Sequence, residues 1–146
     1  MYHTILVPTD GSDAANSAVK QAYEIAERFT ATVHVLYVMD IEQRYPFDLS
    51  IDRMVEAFKA EGETVTETAA NRAPDGVDVI TAVEEGSPHE RILEYADEHD
   101  ADLIVMGTHG RRGLNRFLLG SVAERVVHGA SVSVLVARAS QVEPEE

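Results

Sequence analysis

Five short apolar runs alternate along the chain with four stretches of helical periodicity, and that alternation leaves few folds open. Thr4 to Val7, Ala31 to Met39, Val77 to Val83, Ala101 to Met106 and Val132 to Ala137 are rich in valine, isoleucine and leucine and read as buried strands. After the first, Ala15, Ala18, Val19, Ala22, Ile25, Ala26 and Phe29 recur at helical spacing. They predict one amphipathic helix over residues 13–29, capped by Ser12 or Asp13. An irregular segment from Asp40 to Phe47 precedes a helix from about Ser50 to Asn71, with Ile51, Met54, Val55, Phe58, Val65 and Ala69 on one face. Gly62 weakens its middle by ~1 kcal/mol relative to alanine. Ser87-Pro88-His89-Glu90 predicts the next helix start, with Ser87 as N-cap, Pro88 as first helical residue and Glu90 completing a capping box. Ser121-Val122-Ala123-Glu124 repeats the capping pattern, and Gly129 is the expected stop.

A strand–helix alternation of this kind demands parallel strands, right-handed crossovers and helices on both faces of the sheet. The expected fold class is therefore α/β, a doubly wound five-stranded parallel sheet. A chain of 146 residues suits one domain with a real core. In such sheets ligands sit beyond the carboxyl ends of the strands, where the winding reverses. The loops after strands one and four carry the polar and glycine residues suited to chemistry. They share a site only if those strands are neighbours, which strand order 3-2-1-4-5 provides.

Charge narrows the ligand. The chain carries 26 acidic and 12 basic residues, a net charge of −14. That balance argues against general binding to nucleic acid or to an anionic membrane. Only Lys20 and Lys59 are lysines. An acidic, lysine-poor surface fits the salt-rich cytoplasm of a halophile, where screening relieves self-repulsion. Residues 107–128 run against this trend: four arginines (111, 112, 116 and 125) and one acid, Glu124, give them a net of +3 and leave −17 for the rest. A positive island in a negative chain points to an anionic ligand. The chain has no cysteine, which removes disulfides and thiolate metal sites. The start, Met1 to Pro8, lacks the pattern of a signal peptide. No apolar run approaches the roughly 20 residues that span a bilayer. A cytoplasmic location is the expectation.

The loop after strand four contains the island. Gly107 and Gly110 would let backbone N–H groups approach an anion with no Cβ in the way. Gly120-Ser121 would place bare amides and a hydroxyl at a helix N-terminus, where the helix dipole adds the equivalent of ~0.5 positive charge. Ser121 has a rival duty as N-cap of its own helix. Across the switch point, Asp10 either accepts hydrogen bonds from ribose hydroxyls or forms an Asx turn before the first helix; Pro8 and Thr9 would line the adenine end. His109 could donate to a phosphate. The other histidines (3, 34, 89, 99 and 128) show no metal-ligand spacing. The G-x4-G-K-S/T phosphate loop, the G-x-G-x-x-G fingerprint and the G-x-S-x-G elbow are absent. Glu84-Glu85 stand where a response-regulator receiver would want its acceptor aspartate, so that reading is set aside.

Gly107-x-x-Gly110, nine residues, then Gly120-Ser121 resembles the G-x2-G-x9-G-S/T signature of the universal stress protein (UspA) family, in its ATP-binding branch. Ile5-Leu6-Val7-Pro8-Thr9-Asp10-Gly11-Ser12 and Gly120 to Val127 also look like that family's first loop and last helix. The resemblance covers nearly the whole chain. It implies an adenine nucleotide alpha hydrolase-like fold over residues 1–140, an acidic tail over 141–146, and an origin in a halophilic archaeon when joined to the charge pattern. It further implies that Pro8, Thr9 and Asp10 meet adenosine and that the Val38 backbone binds the adenine edge. Met106 and Gly107 would lie under the sugar and phosphates. His109, Gly110, Arg111, Gly120, Ser121 and Val122 would hold the phosphates, with Mg2+ or Mn2+ bridging them. A homodimer through the last strand is also implied. Ser131 and Ser133 stand where the family often has prolines, which bears on that dimer edge rather than on the site.

Three functions fit these residues. One is an ATP-binding regulatory protein of the stress response, switched by nucleotide occupancy. Another is a slow ATPase, for which only Asp10 and His109 offer a base. The third is a dimeric scaffold that binds AMP or no nucleotide. A cradle for one phosphate is part of a cradle for three, so ATP, AMP and a cyclic nucleotide all suit the pattern.

Overall fold

A computed structural model describes residues 1–40, 51–109 and 119–139. Its elements are β1 (Thr4–Pro8), α1 (Asp13–Phe29), β2 (Thr32–Met39), α2 (Ile51–Ala70), β3 (Val79–Glu85), α3 (Pro88–Glu98), β4 (Leu103–Gly107), α4 (Ser121–Gly129) and β5 (Ser133–Ala137). The strands form one parallel sheet in the order β3-β2-β1-β4-β5. The chain winds from β1 outward through β2 to β3, then returns across the sheet to β4 and β5. With a constant crossover hand, the two halves place their helices on opposite faces.

The strands alternate strictly between two cores. Ile5, Val7, Val33, Val35, Leu103 and Val105 pack beneath α1 with Ala18, Val19, Ala22 and Ala69. Leu6, Leu36, Ile104 and Met106 point the other way, against Ile92, Tyr95, Ala123 and Val126 of α3 and α4. Neighbouring side chains on a strand face opposite sides, so a strand covered on both sides is apolar at nearly every position. That is why Ile5, Leu6, Val7, Val33, Val35, Leu36, Ile104 and Val105 are each 0% exposed. Burying one such side chain contributes about 1.5–3 kcal/mol.

Several local expectations need correction. Ser87 is the N-cap of α3, but no side chain caps that helix; the Ser87 hydroxyl lies 3.4 Å from His89 Nδ1 instead. α4 begins one residue earlier than its supposed cap: Gly120 is the N-cap and Ser121 the first helical residue. Gly129 lies inside α4 rather than after it, and the helix is capped by Ala130. A Cβ at Gly129 would lie 2.8 Å from Leu93 Cδ1, so the glycine lets α4 approach α3. Gly62 has a similar use, since a Cβ there would lie 2.7 Å from the Tyr37 ring and 2.9 Å from Val83. Phe29 ends α1 at 41% exposure, packed edge-on against Tyr2. β3 runs two residues later than the apolar run predicts. Val77 is taken by a turn, donating its N–H to the Pro74 carbonyl, and pairing with β2 carries the strand on to Glu85 opposite Met39. Ser50 and residues 141–146 lie outside the described residues.

Candidate functional site

β1 and β4 are neighbours, with Ile5 opposite Leu103 and Leu6 opposite Ile104. The loops that follow them therefore leave the same edge of the sheet at the point where the winding reverses. Open parallel sheets bind ligands there.

The loop after β1 is held by its own side chains. Thr9 N–H donates to the Leu36 carbonyl at 2.8 Å, extending the ladder past Pro8. Thr9 Oγ1 accepts from Gly11 N–H at 3.1 Å, and Asp10 Oδ1 accepts from Ser12 N–H at 3.0 Å. Ser12 Oγ accepts from Ala15 N–H at 3.3 Å and so caps α1. Gly11 has φ +83°, where a side chain would be strained. Asp10 thus forms the Asx turn. This turn orients the carboxylate.

The connection after β4 is organised by Thr108, which the sequence reading passed over between two glycines. Thr108 N–H donates to the Ala137 carbonyl at 2.9 Å, and its own carbonyl accepts from Gly120 N–H at 2.6 Å. Its hydroxyl lies 3.0 Å from His109 Nδ1. One buried residue therefore ties β5, His109 and the start of α4 together. A Cβ at Gly120 would lie 3.1 Å from His109 Cα and 3.2 Å from the Thr108 carbonyl oxygen. A side chain at Gly120 would crowd this backbone crossing, and the Gly120 amide, expected to be bare, is spent on Thr108.

The first turn of α4 keeps the rest of its donors. Its first backbone bond runs from Glu124 N–H to the Gly120 carbonyl at 2.9 Å. The amides of Ser121, Val122 and Ala123 precede it and have no partner within the helix. Among the described residues no side chain caps this end, and Ser121 is exposed as the first helical residue. Its hydroxyl is not committed as an N-cap.

Gly107 has a packing role that the sequence pattern does not disclose. A Cβ there would lie 2.8 Å from the Ala14 carbonyl carbon and 2.9 Å from Ala15 N. The glycine admits the first turn of α1 against the end of β4. Met106 is buried among the α3 and α4 side chains, and Val122 packs partly against the same cluster. Val38 lies two residues beyond Leu36, whose carbonyl faces β1. Main-chain groups alternate sides along a strand, so those of Val38 also face the β1 side, above the last β1 residue in register. Met39 confirms the alternation, since its carbonyl faces the other way and accepts from Gly86 N–H at 3.0 Å. Gly110 and Arg111 lie outside the described residues.

The sequence profile of the universal stress protein family matches residues 1–138. The chain belongs to that family. Universal stress protein MJ0531 of Methanocaldococcus jannaschii is 43% identical over 141 residues, covering 94% of this chain and 83% of that protein. Universal stress protein MJ0577 of the same organism is 34% identical, covering 94% and 96%. The solved structure of MJ0577 superposes with a TM-score of 0.86 at 30% identity, covering 96% of this chain and 98% of that one. A universal stress protein solved in complex with cAMP gives a TM-score of 0.74 at 28% identity, covering 95% and 99%. The family's adenine nucleotide alpha hydrolase-like fold is the one described above.

Proposed function

We propose that this universal stress protein binds an adenine nucleotide, ATP in its full form, between the loops after β1 and β4, and acts as a nucleotide-dependent cytoplasmic regulator. The observation that carries this reading is the start of α4. Three first-turn amides and an uncommitted serine hydroxyl stand at the switch point, where anions are favoured. Support comes from the main chain of Val38, which faces the open side where an adenine edge would need a donor and an acceptor. Asp10, fixed by its Asx turn, is the ribose acceptor in this reading. The relative solved with cAMP binds an adenine nucleotide of its own. Among the described residues, no group of three or more histidine, aspartate or glutamate side chains could hold a metal ion. A Mg2+ or Mn2+ ion would therefore be held mainly through the phosphates. The outer edge of β5 is the proposed homodimer contact.

Protein purified without added nucleotide and then denatured should release a stoichiometric adenine nucleotide on anion-exchange chromatography. Failing that, it should bind ATP with Mg2+ in calorimetry. A protein that neither retains nor binds ATP, AMP or cAMP overturns the reading and leaves the scaffold. The ATPase alternative gains one observation, since the Thr108 hydroxyl beside His109 Nδ1 orients that ring. Loss of turnover with retained binding in His109→Ala would favour it.

A further inference from the structure

Away from the nucleotide crevice, β2 and α3 meet through three ionisable rings that are far apart in the sequence. His34 is buried at 7% exposure in the middle of β2. Its Nδ1 lies 2.6 Å from the Tyr95 hydroxyl of α3. His99, the C-cap of α3, stacks on Tyr95 with ring centres 3.8 Å apart and stands 5.2 Å from the His34 ring. His99 Nδ1 lies 3.1 Å from the Tyr95 carbonyl. A carbonyl can only accept, so that nitrogen carries a hydrogen. We propose that His34, Tyr95 and His99 form an acid-sensitive latch that fastens α3 to the sheet and loosens when His34 takes up a proton.

The chemistry of the cluster supports this. Burial, and then the Coulomb repulsion of Glu84 and Glu98, push Tyr95 up to about 12, so its hydroxyl keeps its proton. With the His34 imidazole neutral and its proton on Nε2, that hydroxyl donates to Nδ1. A second proton on His34 removes this acceptor and sets two donors face to face in a buried contact. Among the described residues no carboxylate is bonded to the imidazole to compensate. In register with His34, β1 presents Leu6 and β3 presents Ile80. From α3 come Tyr95 and His99, with Glu98 acting on Tyr95 and Glu84 of β3 doing the same. Burial first, and a charge on His99 second, hold His34 below its ordinary value. The folded state therefore binds fewer protons here than the unfolded chain. The stability this gives is present above about pH 6.5 and is lost as the pH falls through and below that value.

Loosening α3 would reach the nucleotide site through its other end. Arg91 of α3 pairs with Glu84, which lies opposite Val38 in the sheet. That consequence rests on the proposed nucleotide reading; the latch itself does not, and its test uses no nucleotide.

Melting temperatures would be followed from pH 8 to pH 5 at constant ionic strength for the native protein, His34→Asn and His99→Gln. Asparagine keeps an acceptor near the position of Nδ1 and does not titrate. The native protein should lose melting temperature below about pH 6.5. His34→Asn should show less than half that loss, and His99→Gln, which removes a charge that opposes protonation of His34, should show a smaller loss than the native protein. In the native protein, the His34 ring signal should not titrate while α3 amides stay protected from exchange. Parallel losses in native and His34→Asn protein overturn the latch. If His34→Asn does not fold, a native His34 ring that titrates near pH 6.5 with α3 still protected overturns it as well.

Discussion

Two helices start at the same edge of the sheet, a few ångströms from the switch point, and they start in opposite ways. The first turn of α1 is closed: Ser12 Oγ accepts from Ala15 N–H, Asp13 puts a negative charge beside it, and the turn is pressed against Gly107. The first turn of α4 is open: its N-cap is a glycine, no side chain among the described residues satisfies its amides, and Ser121 is exposed. With glycine at the N-cap instead of Ser, Thr, Asp or Asn, α4 forgoes only a few tenths of a kcal/mol of stabilisation. In the proposed reading, the bare end of α4 is where a ligand supplies the missing acceptors, so that α1 supports the site and α4 receives the anion.

The comparison can be broken most severely at Gly107. The atoms a Cβ would meet are backbone atoms of α1, which cannot swing aside. Gly107→Ala should cost about 1–3 kcal/mol in chemical denaturation, as overpacking does elsewhere. Nucleotide affinity should fall only as far as the fold does. Ser121→Ala should do the reverse. Because Ser121 does not cap α4, the variant should unfold within about 0.5 kcal/mol of the native protein. It should lose about 1.5–3 kcal/mol of ATP binding, roughly tenfold or more, the value of a hydrogen bond to a charged group. A destabilised Ser121→Ala with unchanged affinity would show the hydroxyl to be a structural cap. Ser12→Ala completes the pair: about 1 kcal/mol less stable, with ATP affinity in calorimetry within twofold of native.

These contrasts explain what the sequence could disclose. The strands were legible because β1, β2 and β4 are covered on both faces and are apolar almost throughout, as Ile5 to Val7 and Leu103 to Met106 are, with His34 of β2 the buried polar exception. Strand order followed from the need to bring the loops after β1 and β4 together. The caps were less legible. Ser12 and Ser87 look alike in sequence, yet only the Ser12 hydroxyl accepts from a main-chain amide of its helix; the Ser87 hydroxyl turns to His89. Glycines were the least legible. A sequence shows that a glycine is present but not what passes close to it. Gly107 admits α1, Gly129 admits Leu93 and Gly120 crosses the backbone at His109, whereas all three read as turn, stop or phosphate residues. The His34–Tyr95 contact was invisible for another reason: it joins residues 61 apart through the packing of α3 on β2, which no local pattern encodes.

Salt offers the mildest test, because it acts on the whole charge rather than on either helix. At a net charge of −14 the folded chain repels itself, and screening relieves that repulsion over distances beyond the Debye length, about 8 Å at 0.15 M and about 3 Å at 1 M. Melting temperature should rise steadily with KCl. The same long-range field also repels a polyphosphate, while the amides of α4 act on it at contact distance, where screening is weak. Raising KCl from about 0.15 M to about 1 M should therefore change ATP affinity by less than threefold even as the fold stabilises. Affinity that collapses over this range would mean that the nucleotide is held by solvent-exposed arginines, and that the bare amides of α4 contribute little to its grip.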